Sequence, residues 1–204
     1  MLRELETRFF RGTELRLSGD DKDPLLEGHI AVFNQLSDDL GGWREKIEPG
    51  AFAETIKTQD IRALWNHEND LVLGRNTAGT LELKEDDIGL AFKNRPPDTT
   101  WFRDRVVSLK RKDVTGSSFG FYTDADEWSS LPDGTRVRTL KKVTLVEVSP
   151  GVTFPAYPQT DVAMRALRQL EERERMLRSA GQTPADLVLM ESRSRRLQMQ
   201  RHVL

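Results

Sequence analysis

Gly116-Ser117-Ser118-Phe119-Gly120-Phe121 sets two small hydroxyl residues inside an aromatic, strand-like run. Side chains of an extended segment alternate faces, so Ser117, Phe119 and Phe121 point one way and Ser118, Gly120 and Tyr122 the other. The phenylalanines can anchor the strand in a core. Ser118, beside a residue with no side chain, leaves a floor that a peptide backbone could approach, which makes it the candidate nucleophile. The same spacing fits a core strand with a small-residue notch and no chemistry, so the choice depends on the rest of the chain.

Upstream, Glu6–Leu17 and Leu26–Phe33 alternate as strands around the turn-rich Ser18–Pro24 loop and read as a β-hairpin. Phe52 and Ile56, four apart, predict a short helix over Ala51–Lys57. Ile61–His67 is an apolar run ending in the turn chemistry of Glu68-Asn69-Asp70, which puts a histidine at a strand end. Leu71–Arg75, Thr80–Leu83 and Leu90–Phe92 read as further strands. Past Pro96-Pro97, the stripe of Phe102, Val106 and Leu109 predicts a helix over Thr100–Arg111. Downstream, Asp124–Gly134 reads as a polar loop, and Thr135–Leu140 and Val143–Val148 as two strands. The second is nearly all apolar, so Glu147 within it requires a hydrogen-bonding or cationic partner.

From Asp161 to about Ser179, and again after the Thr183-Pro184 start signal, weak apolar stripes among charges predict two helices forming an arm. The net charge of −2 conceals an asymmetry: from Met164 onward there are nine arginines against five acids. Because the two signs interleave, a solvated helix face explains the tail more simply than nucleic-acid binding. The 204 residues suit one domain plus an appendage, with no apolar run of membrane-spanning length and no apolar leader, as in a soluble, unexported protein. Cysteine is absent, which excludes disulfides, thiolate metal sites and cysteine nucleophiles.

A serine nucleophile requires a base and usually a group that orients the base. Of the three histidines, His202 lies in the tail and His29 in a hairpin strand, so His67 is the best base and Glu147 the best orienting group. Each also has a plain structural role open to it: an edge histidine, or a carboxylate paired with Arg138. His67, Glu68 and Asp70 could together suggest a metal, but the His-Glu-x-x-His spacing is missing, and no glycine loop cradles a phosphate. No cofactor or metal is expected.

Six blocks now stand in order: Gly28-His29-Ile30-Ala31-Val32-Phe33-Asn34, Glu48-Pro49-Gly50-Ala51-Phe52, Leu64-Trp65-Asn66-His67-Glu68, Val72-Leu73-Gly74-Arg75, Ser118-Phe119-Gly120-Phe121 and Glu147-Val148-Ser149-Pro150, the last continued by Val152–Pro158. They resemble the prohead (capsid maturation) serine proteases of tailed phages, themselves distantly similar to herpesvirus assemblins. The resemblance implies an α+β fold, a mainly antiparallel, β-barrel-like core with flanking helices over residues 1–160, followed by a helical C-terminal arm over 161–204. It implies a serine endopeptidase with Ser118 as nucleophile, His67 as base and Glu147 as third member, cleaving capsid or scaffold protein inside the procapsid, in the host cytoplasm.

By the same resemblance the capsid shell interior and a second copy of the chain are expected partners, with no membrane and no specific nucleic acid. The arm is expected to direct packaging and to be removed by self-cleavage. Two departures stand out. His29 occupies an aromatic's place and competes for the third role, and Gly151 is an extra residue between Ser149-Pro150 and Val152. The competing reading is a non-catalytic assembly or scaffolding module that uses the same core and arm.

Overall fold

The computed structural model describes residues 4–10, 15–19, 23–153, 171–172 and 175–176. The chain divides into two units, residues 1–160 and 161–204, and the architecture below is that of the first. Its elements are β1 (Glu6–Phe10), β2 (Leu15–Gly19), β3 (Pro24–Val32), β4 (Trp43–Ile47), α1 (Thr55–Thr58), β5 (Arg62–Trp65), β6 (Glu68–Arg75), β7 (Leu81–Glu85), β8 (Gly89–Asn94), α2 (Thr100–Lys110), β9 (Gly116–Ser130) and β10 (Arg136–Val152). The predicted arm helices lie outside the described residues, except 171–172 and 175–176, which are helical.

The fold is α+β and mostly β, but the expected barrel does not close. A six-stranded sheet runs β1-β9-β10-β5-β6, with β4 also on β10, and a separate four-stranded sheet runs β2-β3-β8-β7. One core gathers side chains from both: Leu26, Ile30, Leu90 and Phe92 from the smaller sheet, and Phe119, Phe121, Leu145 and Val148 from the larger. Most pairings are antiparallel, while β4 and β5 run parallel to β10.

Three expectations are corrected. The predicted first strand splits: Leu15–Gly19 forms the hairpin with β3, whereas Glu6–Phe10 joins the other sheet beside the serine strand. Most of the expected Asp124–Gly134 loop is strand, since β9 continues to Ser130 and only the stretch from Leu131 remains as the turn before β10. The acids of β9 meet a basic partner strand, with Asp126 on Arg138 at 2.7 Å and Glu127 on Lys141 at 2.7 Å, and Trp128 packs on Trp43 at 5.0 Å. Cross-strand ion pairs and one aromatic contact hold a sequence that looks like a loop in extended pairing. The two strands predicted around Lys141 are likewise one, β10, which absorbs the interruption as register shifts at Leu140/Lys142 and Lys142/Val143.

β1 is held by buried charge. Arg8 Nε donates to Glu45 Oε1 at 2.7 Å and Arg8 Nη2 to Glu6 Oε2 at 2.7 Å, while Arg138 Nη1 donates to Glu6 Oε2 at 2.7 Å. Arg138 is thus committed to Glu6, Glu45 and Asp126, not to Glu147. Burial pushes the Glu6 carboxyl up, but the Arg138 and Arg8 charges and the hydrogen bonds from Arg138 and Thr123 outweigh it and lower it from 4.5 to about 2. Because the folded value is depressed, this stabilisation is complete above pH 4.5 and is lost as pH falls towards 2. It is worth on the order of 3 kcal/mol. Acid unfolding followed by near-UV circular dichroism is expected to be less steep in this window for Glu6→Gln than for the parent; equal slopes would refute the pairing.

Candidate active site

β5 and β6 are joined by two residues. Trp65 pairs with Glu68, leaving Asn66 and His67 as the connection, with φ of +51° and +62°. Two consecutive positive φ values define a type I′ hairpin turn, which usually requires glycine in its second position. His67 therefore sits in a conformation that is uncommon for a side-chain-bearing residue. The turn is tied down from β10 and the residue after it: the His67 backbone N–H donates to Ser149 Oγ at 3.1 Å, and the Thr153 N–H to Asn66 Oδ1 at 3.4 Å. Gly151, at φ +116°, leaves room for the Trp65 ring, which a Cβ there would meet at 2.7 Å. The extra glycine in the sequence is thus a bulge at Pro150/Val152 against which the turn's first flank packs.

Glu147 reaches this turn because β10 slips by one residue. Leu145 pairs with Phe121, but Glu147, not Val146, pairs with Gly120. A one-residue bulge moves all following side chains to the other face. Leu145 faces the core with Phe121, and beyond the bulge Val148 takes the core face. Glu147 and Ser149 stand opposite Gly120 and Ser118. A Cβ on Gly120 would lie 2.8 Å from Glu147 Oε1, so the glycine creates the space for the carboxylate. Glu147, its side chain 12% exposed, accepts from His67 Nδ1 at 2.8 Å and from the Ser149 hydroxyl at 2.8 Å.

Ser118 lies on this face, across from Ser149, and the alternation read from the sequence holds: Phe119 and Phe121 are fully buried in the core. Its hydroxyl donates to the Arg8 carbonyl of β1 at 2.8 Å, and the residue is 1% exposed. The structure thus brings His67 and Glu147 into contact and puts Ser118 on the adjoining strand position, with no Ser118–His67 hydrogen bond among the described residues. His29 goes elsewhere, its Nε2 lying 2.9 Å from Asp86 Oδ2, a carboxylate that also accepts from the Ile88 and Gly89 N–H groups. Among the described residues no three His, Asp or Glu side chains converge as metal ligands. A cavity of about 300 Å³ opens between the β2–β3 turn and α2, lined in part by Leu17, Phe102, Val106 and Lys110, and contains none of these groups.

Ser149 and the Arg8 carbonyl were not foreseen. Ser149 had a usable signal, since it follows Glu147 by two in an extended strand and must share its face. The Arg8 carbonyl had none, because strand pairing over 110 residues leaves no local trace.

A carboxylate on one imidazole nitrogen, beside a strand carrying a hydroxyl, is the group set of serine peptidases. The chain belongs to the caudovirus prohead serine protease family, which matches residues 12–176. It is 28% identical over 163 residues to the prohead protease of Enterobacteria phage HK97, covering 78% of this chain and 68% of that one. The capsid assembly protease of bacteriophage T4 resembles it in structure with a TM-score of 0.45 and 8% identity, over 73% of this chain and 97% of that one. The protein is accordingly a serine protease of phage capsid maturation, and the reading as a non-catalytic assembly module gives way to this membership.

Gly120→Ala tests the geometry of the pair, because its methyl group displaces Glu147 from His67 without entering the core face. Processing of the co-expressed capsid protein is expected to fall by about tenfold or more, with the melting temperature held within about 4 °C. Unchanged processing would mean that the contact is dispensable.

Proposed function

We propose that Ser118, His67 and Glu147 are the nucleophile, base and orienting carboxylate of an endopeptidase that cleaves capsid or scaffold protein, and its own tail, inside the assembling procapsid in the host cytoplasm. The observation that carries this is the half-buried Glu147–His67 contact of 2.8 Å on the face that Ser118 shares. With Nδ1 engaged by the carboxylate, Nε2 is the nitrogen left to take a proton. Ser118 Oγ leaves the Arg8 carbonyl, a net cost of about 1 kcal/mol, and attacks the peptide carbonyl carbon as its proton passes to Nε2. The tetrahedral oxyanion collapses, the amine leaves with the proton from Nε2, and water releases the acyl group by the same steps reversed. Backbone N–H groups that meet the oxyanion would contribute about 3 kcal/mol each.

Ser118→Ala is expected to lower capsid-protein processing by at least about a thousandfold, His67→Ala similarly, and Glu147→Gln by about a hundredfold or more. A serine-directed phosphonate should label Ser118 in the parent and nothing in His67→Ala. Undiminished processing by Ser118→Ala sinks the assignment.

The tail from about residue 163 is read as a packaging signal trimmed by the enzyme itself. Mass spectrometry should find the shortened chain with active enzyme and the intact chain in Ser118→Ala; trimming that persists in the variant points to another protease. A homodimer enters only through the assemblin resemblance.

A further inference from the structure

We propose that Ser149 is a positioning residue of this peptidase, a buried hydroxyl that fixes both the Glu147 carboxylate and the backbone turn carrying His67. The inference rests on the assignment of Ser118, His67 and Glu147 above. Ser149 is fully buried, and its hydroxyl is engaged both as donor and as acceptor. Its proton goes to Glu147 Oε2 at 2.8 Å, and its oxygen accepts the His67 backbone N–H at 3.1 Å. A hydroxyl has one proton to give, so Ser149 cannot also donate to His67 Nδ1, which lies 3.4 Å away. The Nδ1 proton therefore belongs to Glu147 Oε1 at 2.8 Å, and the free lone pair is on Nε2.

Two tasks meet in one atom. Glu147 is held at both oxygens, Oε1 by His67 and Oε2 by Ser149, which stops the carboxylate from rotating away from the imidazole. His67 is held at both backbone and ring, which keeps a positive-φ histidine in its turn. Ser149 is set on this face by the bulge that also delivers Glu147, and it stands across the β9–β10 ladder from Ser118. Its proton is committed to the carboxylate side of the imidazole, so it orients the base and does not compete as nucleophile.

The expected kinetic signature is specific. Without the Ser149 donor, Glu147 presents its charge to His67 alone, so the imidazole holds its proton to higher pH and the acid limb of the rate profile moves up. Among the described residues, the charges nearest the turn in the chain are Glu68 and Asp70, both exposed on β6, and Arg105 of α2 lies 5.9 Å from the ring of Trp65, which flanks the turn. None of them is altered by the substitution.

The test uses the full chain and a fluorogenic peptide spanning the cleavage site mapped on its capsid protein. Ser149→Ala is expected to lower kcat about tenfold or more with KM within about twofold, and to raise the acid limb, while Ser149→Thr, which keeps the hydroxyl, recovers most of kcat. If the alanine chain does not fold, Ser149→Cys, close in volume and a weak donor, is judged by the same criteria. A parental kcat and profile, or a loss with an unmoved profile and no recovery by threonine, overturns the proposal. So does phosphonate label found on Ser149. Ser118→Ala serves as the control: if it is inactive while Ser149→Ala is normal, only this inference fails, and if it is active, the underlying assignment fails.

Discussion

The single extra residue in β10 between Leu145 and Glu147 is the constraint on which the candidate site depends. In an unbroken strand, Leu145, Glu147 and Ser149 would share a face, and that face is the phenylalanine core. An unpaired carboxylate there would be severely destabilising. With the slip, the same sequence satisfies two requirements at once. Leu145 and Val148 fill the core on either side of the bulge, and Glu147 and Ser149 rise on the face where Gly120 leaves room. The bulge converts an awkward core strand into the scaffold of the His67–Glu147–Ser149 hydrogen bonds.

The second constraint is ionic. Arg8, Arg138, Glu6 and Glu45 are buried together under the Trp43 and Phe121 rings. Groups of this kind contribute little net stability compared with apolar packing, but removing any one leaves a buried charge unpaired. Their effect here is positional. They set β1 in one register on β9, with Arg8 opposite Phe119, and so put the Arg8 carbonyl on the Ser118 hydroxyl. β1 sits at the sheet edge, and its charges make that edge strand specific to one neighbour.

Much of the site was legible in the sequence. Alternation separated Ser118 from Ser117 as the structure does, and the demand of Glu147 for a partner was legible, with His67 and Arg138 both open until the fold put Arg138 on Glu6, Glu45 and Asp126. The α2 helix matched the stripe expected past Pro96-Pro97, and the structure adds its cap, Thr99 Oγ1 accepting the Phe102 N–H. What could not be read were features set by distant partners. The acidic half of β9 is a strand only because β10 supplies Arg138 and Lys141. The bulge at Val146 has no local mark, and the strand expected to end at Val148 runs on through Pro150 to Val152. Over that stretch β10 pairs only with β9, since β5 reaches no further than Val148, so the N–H that proline lacks has no second neighbour to serve. The barrel expected from the family resemblance depended on strand closure, which no single-strand pattern encodes.

The bonds at this site also carry a kinetic consequence. Ser118 meets Arg8 across 110 residues, and His67 meets Glu147 and Ser149 across 80 and 82. The Arg8 contact needs the chain only through β9, but the two His67 contacts cannot form until it has been made through β10, and closing loops of that length delays such contacts relative to local hairpins. A nascent chain that has emerged only as far as the serine strand already carries Ser118 and His67 but lacks the strand that aligns them. Until its last strand arrives, the chain has no fixed pairing of imidazole and carboxylate, whatever peptide bonds surround it.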